Sequence, residues 1–141
     1  MKLYSQVHAS LGFGYYRNYY YPELTLNAMV IRNDHFNRPN LKFGLIYDNK
    51  FFTSSTEDGL KSEINSFISA GVYFNMYKSD DPFWAGFGGG LLIRNKGDYF
   101  QGNTAKFFIS TGAKKFTFIP EGYLTDDFKK FSLGAKISYT F

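Results

Sequence analysis

The chain has no cysteine among its 141 residues. That excludes a disulfide framework and thiolate metal sites but leaves the compartment open, since envelope proteins also do without cysteine. No run of about 18 apolar residues occurs, so a transmembrane helix is ruled out. The opening MKLYSQVHAS lacks an apolar h-region and is not expected to be a signal peptide; it suits either a cytosolic protein or a mature chain carrying an added Met. Proline is scarce, at 4 residues, and no stretch sustains an apolar pattern of helical period. Charge of one sign is never massed either. The net +4 is spread along the sequence, which argues against a nucleic-acid partner.

What the chain has in abundance is aromatic: 17 Phe, 12 Tyr and 1 Trp, accompanied by 14 Gly. Aromatic side chains favour the pleated surface of a strand, and Gly permits close approach and bending. The order of residues agrees. In LYSQVHASLGFGY, Leu3, Val7, Ala9, Leu11, Phe13 and Tyr15 share one face, with Tyr4, Gln6, His8, Ser10, Gly12 and Gly14 on the other. The same period of two recurs in ELTLNAMVIRN, NLKFGLIYD, EINSFISAGVYFNMY, FWAGFGGGLLIRN, AKFFISTG, KFTFIPEGY and FSLGAKISYTF, which makes eight strands. KFTFIPEGY is the least regular, and Pro120 should weaken pairing there because it has no N–H to donate.

The connectors alternate in length. RNYYYP, NKFFTSSTEDGLKS, NKGDYFQGNT and LTDD fall at one end, while DHFNRPN, KSDDP and a tight turn around GAKK fall at the other. No internal repeat or boundary divides the sequence, so residues 1–141 are expected to form a single all-β domain, an eight-stranded antiparallel up-and-down barrel.

Alternation alone leaves the apolar face free to point inwards or outwards. A soluble ligand-binding barrel of the lipocalin type has apolar residues inside; a transmembrane barrel reverses this and carries aromatic girdles at both interfaces. Here the polar face is rich in Gly, Ser, Thr, Asn and Tyr rather than Lys and Glu, as a narrow lumen requires. Aromatic residues cluster near strand ends, as at Tyr19 to Tyr21, Phe51 and Phe52, and Tyr139. The final SYTF resembles the closing strand of small bacterial outer-membrane β-barrel proteins, which typically ends on Phe with Tyr two residues earlier.

On that resemblance, Ser132, Gly134, Ile137, Tyr139 and Phe141 match the signal read by the barrel-insertion machinery. The implied location is the outer membrane of a Gram-negative envelope, with both termini periplasmic and with outer-membrane lipid and lipopolysaccharide as surroundings. Strand arithmetic fits, since a tilted spanning strand needs about 9–11 residues.

An eight-stranded barrel is just wide enough for side chains to fill. The inward charges are expected to be Glu23, Asp48, Arg94, Lys106, Glu121, Lys130 and Lys136, pairing in an ion network that plugs the mouth nearest the long loops. The expected role is structural, adhesive, or accessory to an envelope complex. The alternative on the same scaffold is a lipid A-modifying acylhydrolase or acyltransferase, for which His8 and Ser10 are the candidate catalytic pair. A polar lumen accommodates that pair equally well. His35 has no second ligand at metal spacing, and GFGGG lacks the helix start of a phosphate loop, so neither metal nor cofactor is expected. The pairs Phe51–Phe52 and Tyr99–Phe100 read either as an adhesive surface or as girdle residues.

Overall fold

A computed structural model of the chain describes residues 3–17, 19–34, 38–56, 59–76, 83–95, 100, 102–113 and 115–140, the side chains of 53–56, 60 and 61 excepted. Eight strands run in sequence order: β1 (Leu3–Tyr16), β2 (Tyr19–Asn33), β3 (Pro39–Thr56), β4 (Gly59–Asn75), β5 (Trp84–Arg94), β6 (Ala105–Gly112), β7 (Phe116–Thr125) and β8 (Lys130–Thr140). Each pairs antiparallel with its neighbours, and β8 returns to β1 to close a barrel. No helix occurs among the described residues.

The register fixes the shape. Paired residues followed around the wall from Leu3 run through Arg32, Leu41, Phe74, Ala85, Thr111, Phe118 and Ile137 and return to β1 at Phe13, ten residues further along. With a rise of about 3.3 Å per residue and strands about 4.8 Å apart, that stagger tilts the strands by roughly 40°. A narrow closed barrel results.

Its polarity is reversed relative to a water-soluble barrel. Val7 (79%), Leu133 (68%) and Phe116 (64%) are among the most exposed apolar side chains, and every strand contributes large apolar residues to the outer wall. Glu23, Asp48, Lys50, Lys106, Glu121 and Lys136 are buried within.

Two connectors differ from the sequence-based expectation. RNYYYP is not a loop: Tyr19 to Pro22 continue β2 and pair with Tyr16 to Phe13, leaving a tight turn in which Arg17 takes a φ of 46°. Pro22 is tolerated because β2 pairs with β3 only from Glu23 onward, so its missing N–H costs no rung on that side. Most of NKFFTSSTEDGLKS is likewise strand, with β3 and β4 paired out to Thr56 and Gly59. Aromatic and β-branched residues carried both hairpins past the points where polar composition suggested loops. At Pro120 the β6–β7 ladder lapses between Phe108↔Glu121 and Thr111↔Phe118, as the missing N–H requires.

Glycine on the inner wall makes room for rings. A Cβ on Gly14 would lie 2.5 Å from the Tyr21 hydroxyl, and one on Gly88 would lie 2.5 Å from the Phe108 ring. The rings occupy the space that a Cβ would take.

Candidate functional site

The lumen is built in layers along its axis. At the end bearing the β1–β2, β3–β4, β5–β6 and β7–β8 connections, Tyr16, Tyr21, Phe52, Phe67, Phe100 and Tyr123 form a buried aromatic cluster, with Leu92 packed against it. Phe100 comes from the β5–β6 connection rather than a strand, and it stacks on Tyr16 with ring centroids 4.6 Å apart. Its carbonyl accepts a hydrogen bond from Asn95 Nδ2 at 2.7 Å, which holds the residue inward. Asn103 N donates to Asp127 Oδ1 at 3.0 Å, tying the same connection to the β7–β8 turn. In that turn Asp126, Asp127 and Phe128 all have positive φ.

Beneath this plug lies a sealed layer of charge. Lys50 Nζ is 2.6 Å from Glu23 Oε2 and 3.3 Å from Glu121 Oε1. Lys106 pairs with Asp48 and lies 3.2 Å from Glu121 Oε2. Lys136 pairs with Glu23, and lies 3.3 Å from Asp48 Oδ1 and 3.7 Å from Glu121 Oε2. Three lysines therefore face three carboxylates, and each ion meets at least two of opposite sign. Hydroxyls complete the set: Tyr123 donates to Glu121 at 2.6 Å, Tyr21 donates to Glu121 at 3.1 Å while accepting from Lys50 at 3.0 Å, and Thr25 lies between Glu23 and Asp48. Burying charge is affordable only with this kind of mutual pairing and hydrogen bonding.

Of the seven charges expected in the lumen, the structure brings five together: Glu23, Asp48, Lys106, Glu121 and Lys136. Arg94 is not among them. The pairing shifts between Ser66 and Phe67, so that Ser66 faces Arg94 while Phe67 faces Leu92. The one extra residue, Ile93, turns Arg94 to the outside, where it is exposed. Lys130 keeps inward parity opposite Thr125, but as the first residue of β8 it stands at the rim above the plug and is exposed. Lys50 is the residue that sequence reasoning missed, having been assigned to a loop. Two residues beyond Asp48, it simply continues the inner face of β3. The network lies below the mouth rather than in it, and the mouth is closed by aromatic rings.

Below the charge layer the barrel is hollow. A blind chamber of about 430 Å³ extends to the opposite end, where the described strands begin and finish, and Asp48, Lys106, Glu121 and Lys136 form its inner limit. Its two walls differ. On β2 to β7, Met29, Ile46, Tyr73 and Phe108 form a second apolar cluster with Trp84 and Ile119. On β1 and β8 the wall is polar, with Gln6, His8, Ser10, Ser138 and Thr140.

His8 and Ser10 both face this chamber, and each is hydrogen-bonded to a partner other than its neighbour. His8 Nε2 shares a hydrogen bond of 2.8 Å with Gln6 Oε1, whereas Ser10 Oγ lies 3.0 Å from Thr140 Oγ1 and accepts from Asn27 at 3.4 Å. His8 is turned to Gln6, so the hydrogen bond by which a base would draw on the serine hydroxyl is not formed between His8 and Ser10. Among the described residues, no group of three His, Asp or Glu side chains could hold a metal ion; His35 lies outside them.

In the closing strand, Ser132 and Gly134 point inward, Ile137 is exposed on the outer wall, and Tyr139 packs against Phe116 with centroids 5.1 Å apart. Phe141 lies outside the described residues. Phe52 and Phe100, read from sequence as candidates for an exposed adhesive surface or girdle, are both buried in the plug, and Tyr99 lies outside the described residues.

Fold and site together define a closed eight-stranded antiparallel β-barrel with a charged interior and an apolar exterior. Compared with protein-family models, curated proteins and solved structures, the chain finds no match in any of the three.

Proposed function

We propose that this chain is a small integral β-barrel protein of a Gram-negative outer membrane. Its termini face the periplasm, and it serves as a structural element or as an accessory subunit of an envelope complex. The observation that carries this reading is the reversed polarity of the wall. Leu11, Phe13, Leu26, Leu45, Ile68, Phe87, Ile109, Phe118 and Ile137 form an outward apolar surface on every side of the barrel, while six balanced charges are sealed inside. In water such a surface is a severe liability; in hydrocarbon it is the lowest-energy arrangement.

Three further features support it. A tilt of roughly 40° makes about ten residues span an apolar thickness of about 25 Å, which suits strands of this length. Aromatic rings meet on the outer wall near both ends, as in Tyr15 with Tyr20 and Phe116 with Tyr139. The outward placing of Ile137 and Tyr139 on the last strand agrees with a signal read by the insertion machinery. A lumen blocked across one half by the plug and the ion layer favours a scaffold over a pore. The lipid A-modifying alternative draws less support, since His8 bonds Gln6 and Ser10 bonds Thr140 rather than each other.

The test is physical. Expressed with an export signal in a Gram-negative host, the protein should fractionate with the outer membrane and require detergent for extraction. It should also migrate differently on a denaturing gel before and after boiling. A folded monomer in plain buffer, unchanged by heating, would overturn the proposal.

A further inference from the structure

We propose that the blind chamber is a binding site for a small amphipathic anion, a medium-chain carboxylate, with its head at Lys42 and its tail against Ile46, Phe108 and Ile119. A volume of about 430 Å³ is that of a ligand pocket rather than a packing defect. Charge chooses the ligand. The ions at the inner limit of the chamber are already matched three against three, so they offer no net attraction. Lys42 is different. Its Nζ lies 4.5 Å from the Trp84 ring centroid and 4.9 Å from that of Tyr73, and among the described residues no carboxylate pairs with it. Aromatic faces hold an ammonium in place without neutralising it. Among the described residues, the chamber thus presents one uncompensated positive charge.

The walls choose the rest of the molecule. Met29, Ile46, Phe108 and Ile119 lie further in than Lys42 and line the chamber with apolar atoms. A small hydrophilic anion would leave that wall unused and would find a single cation with no nest of backbone N–H groups. A neutral lipid would leave the Lys42 charge unanswered. An anionic head joined to an acyl tail satisfies both. The inference concerns the inside of the barrel and does not rest on the membrane assignment.

Trp84 is the only tryptophan in the chain, so its fluorescence reports on the chamber alone. The full chain, in maltoside micelles or in buffer if it proves soluble there, is titrated with ω-bromodecanoate, whose bromine quenches on contact. The bromo-alcohol and bromo-amine of the same chain length serve as head-group controls and report partition into the micelle. The acid should quench at about tenfold lower concentration than the alcohol, and the amine should be no better than the alcohol. In Lys42→Met, checked for folding by its heat-dependent gel shift, the acid's advantage should shrink to about twofold or less. Lys42→Gln replaces it should Lys42→Met misfold, and the wild-type ranking of the three heads stands without either variant. Equal quenching by acid and alcohol, no quenching at all, or an undiminished preference in the variants would each overturn the proposal.

Discussion

The two halves of the lumen share one wall and one register, yet one is filled and the other hollow. In the half towards the β1–β2 and β7–β8 turns, Tyr16, Tyr21, Phe52, Phe67, Phe100 and Tyr123 interlock over six mutually paired ions. In the other half, Met29, Tyr73, Trp84 and Phe108 line one side, the polar side chains of β1 and β8 line the other, and a cavity of about 430 Å³ lies between them. The strand number sets how much space there is, but side-chain length and a single inserted loop residue decide whether it is used. Rigidity and vacancy are thereby separated along one axis, with stability concentrated in the first half and freedom to bind in the second.

The comparison can be broken most severely through Glu121, which faces Lys50, Lys106 and Lys136. Glu121→Ala leaves three buried lysines to two carboxylates and should cost about 3–5 kcal/mol in denaturant unfolding, followed by Trp84 fluorescence. A loss below about 1 kcal/mol would mean that the ion layer is not sealed as described. Next comes Phe100→Ala, which withdraws the ring that stacks on Tyr16 and edges Phe52 and Phe67. About 3 kcal/mol should be lost, and the amides of the β5–β6 connection should exchange faster with solvent.

Gly88→Ala tests the wall of the hollow half. Its new methyl meets the Ala70 carbonyl oxygen as well as the Phe108 ring at 2.5 Å, so backbone and ring must both shift, at a cost of about 1–3 kcal/mol or more and with a measurable change in Trp84 emission. Lys42→Met should matter least to stability, by about 1 kcal/mol or less, because only its ring contacts are lost. Should Lys42→Met destabilise as much as Phe100→Ala, the contrast between the halves would fail.

The sequence carried most of the wall and less of the contents. Period-two alternation made all eight strands legible because each has one mainly apolar face, and parity alone gathered Glu23, Asp48, Lys106, Glu121 and Lys136 into one lumen. Lys50 and Phe52 were equally readable by parity from Asp48, but the polar run after them obscured how far β3 extends. Arg94 was misplaced because a single-residue bulge reverses parity, and nothing in LLIRN marks it. Phe100 carries no periodic signal, since its loop aims it inward through Asn95 and Asp127. The chamber could not be foreseen from pattern. It depends on how far rings fold back against Gly86 and Gly88, a matter of distances rather than of residue order.

The ten-residue stagger has an effect at the hollow end. Thr140, the last described residue of β8, pairs with Ser10, whereas Leu3 to Ala9 run on with β2 as their only described partner. Those seven residues amount to roughly 23 Å of strand. Among the described residues the opening is therefore cut on a slant, like the nib of a quill, with a long lip on β1 and β2 and a short one across β6 to β8. Lys42, near the start of β3, stands low on the side of the long lip. In the closed ring of eight strands β3 lies opposite β7, so the Lys42 charge looks across the opening towards the short lip.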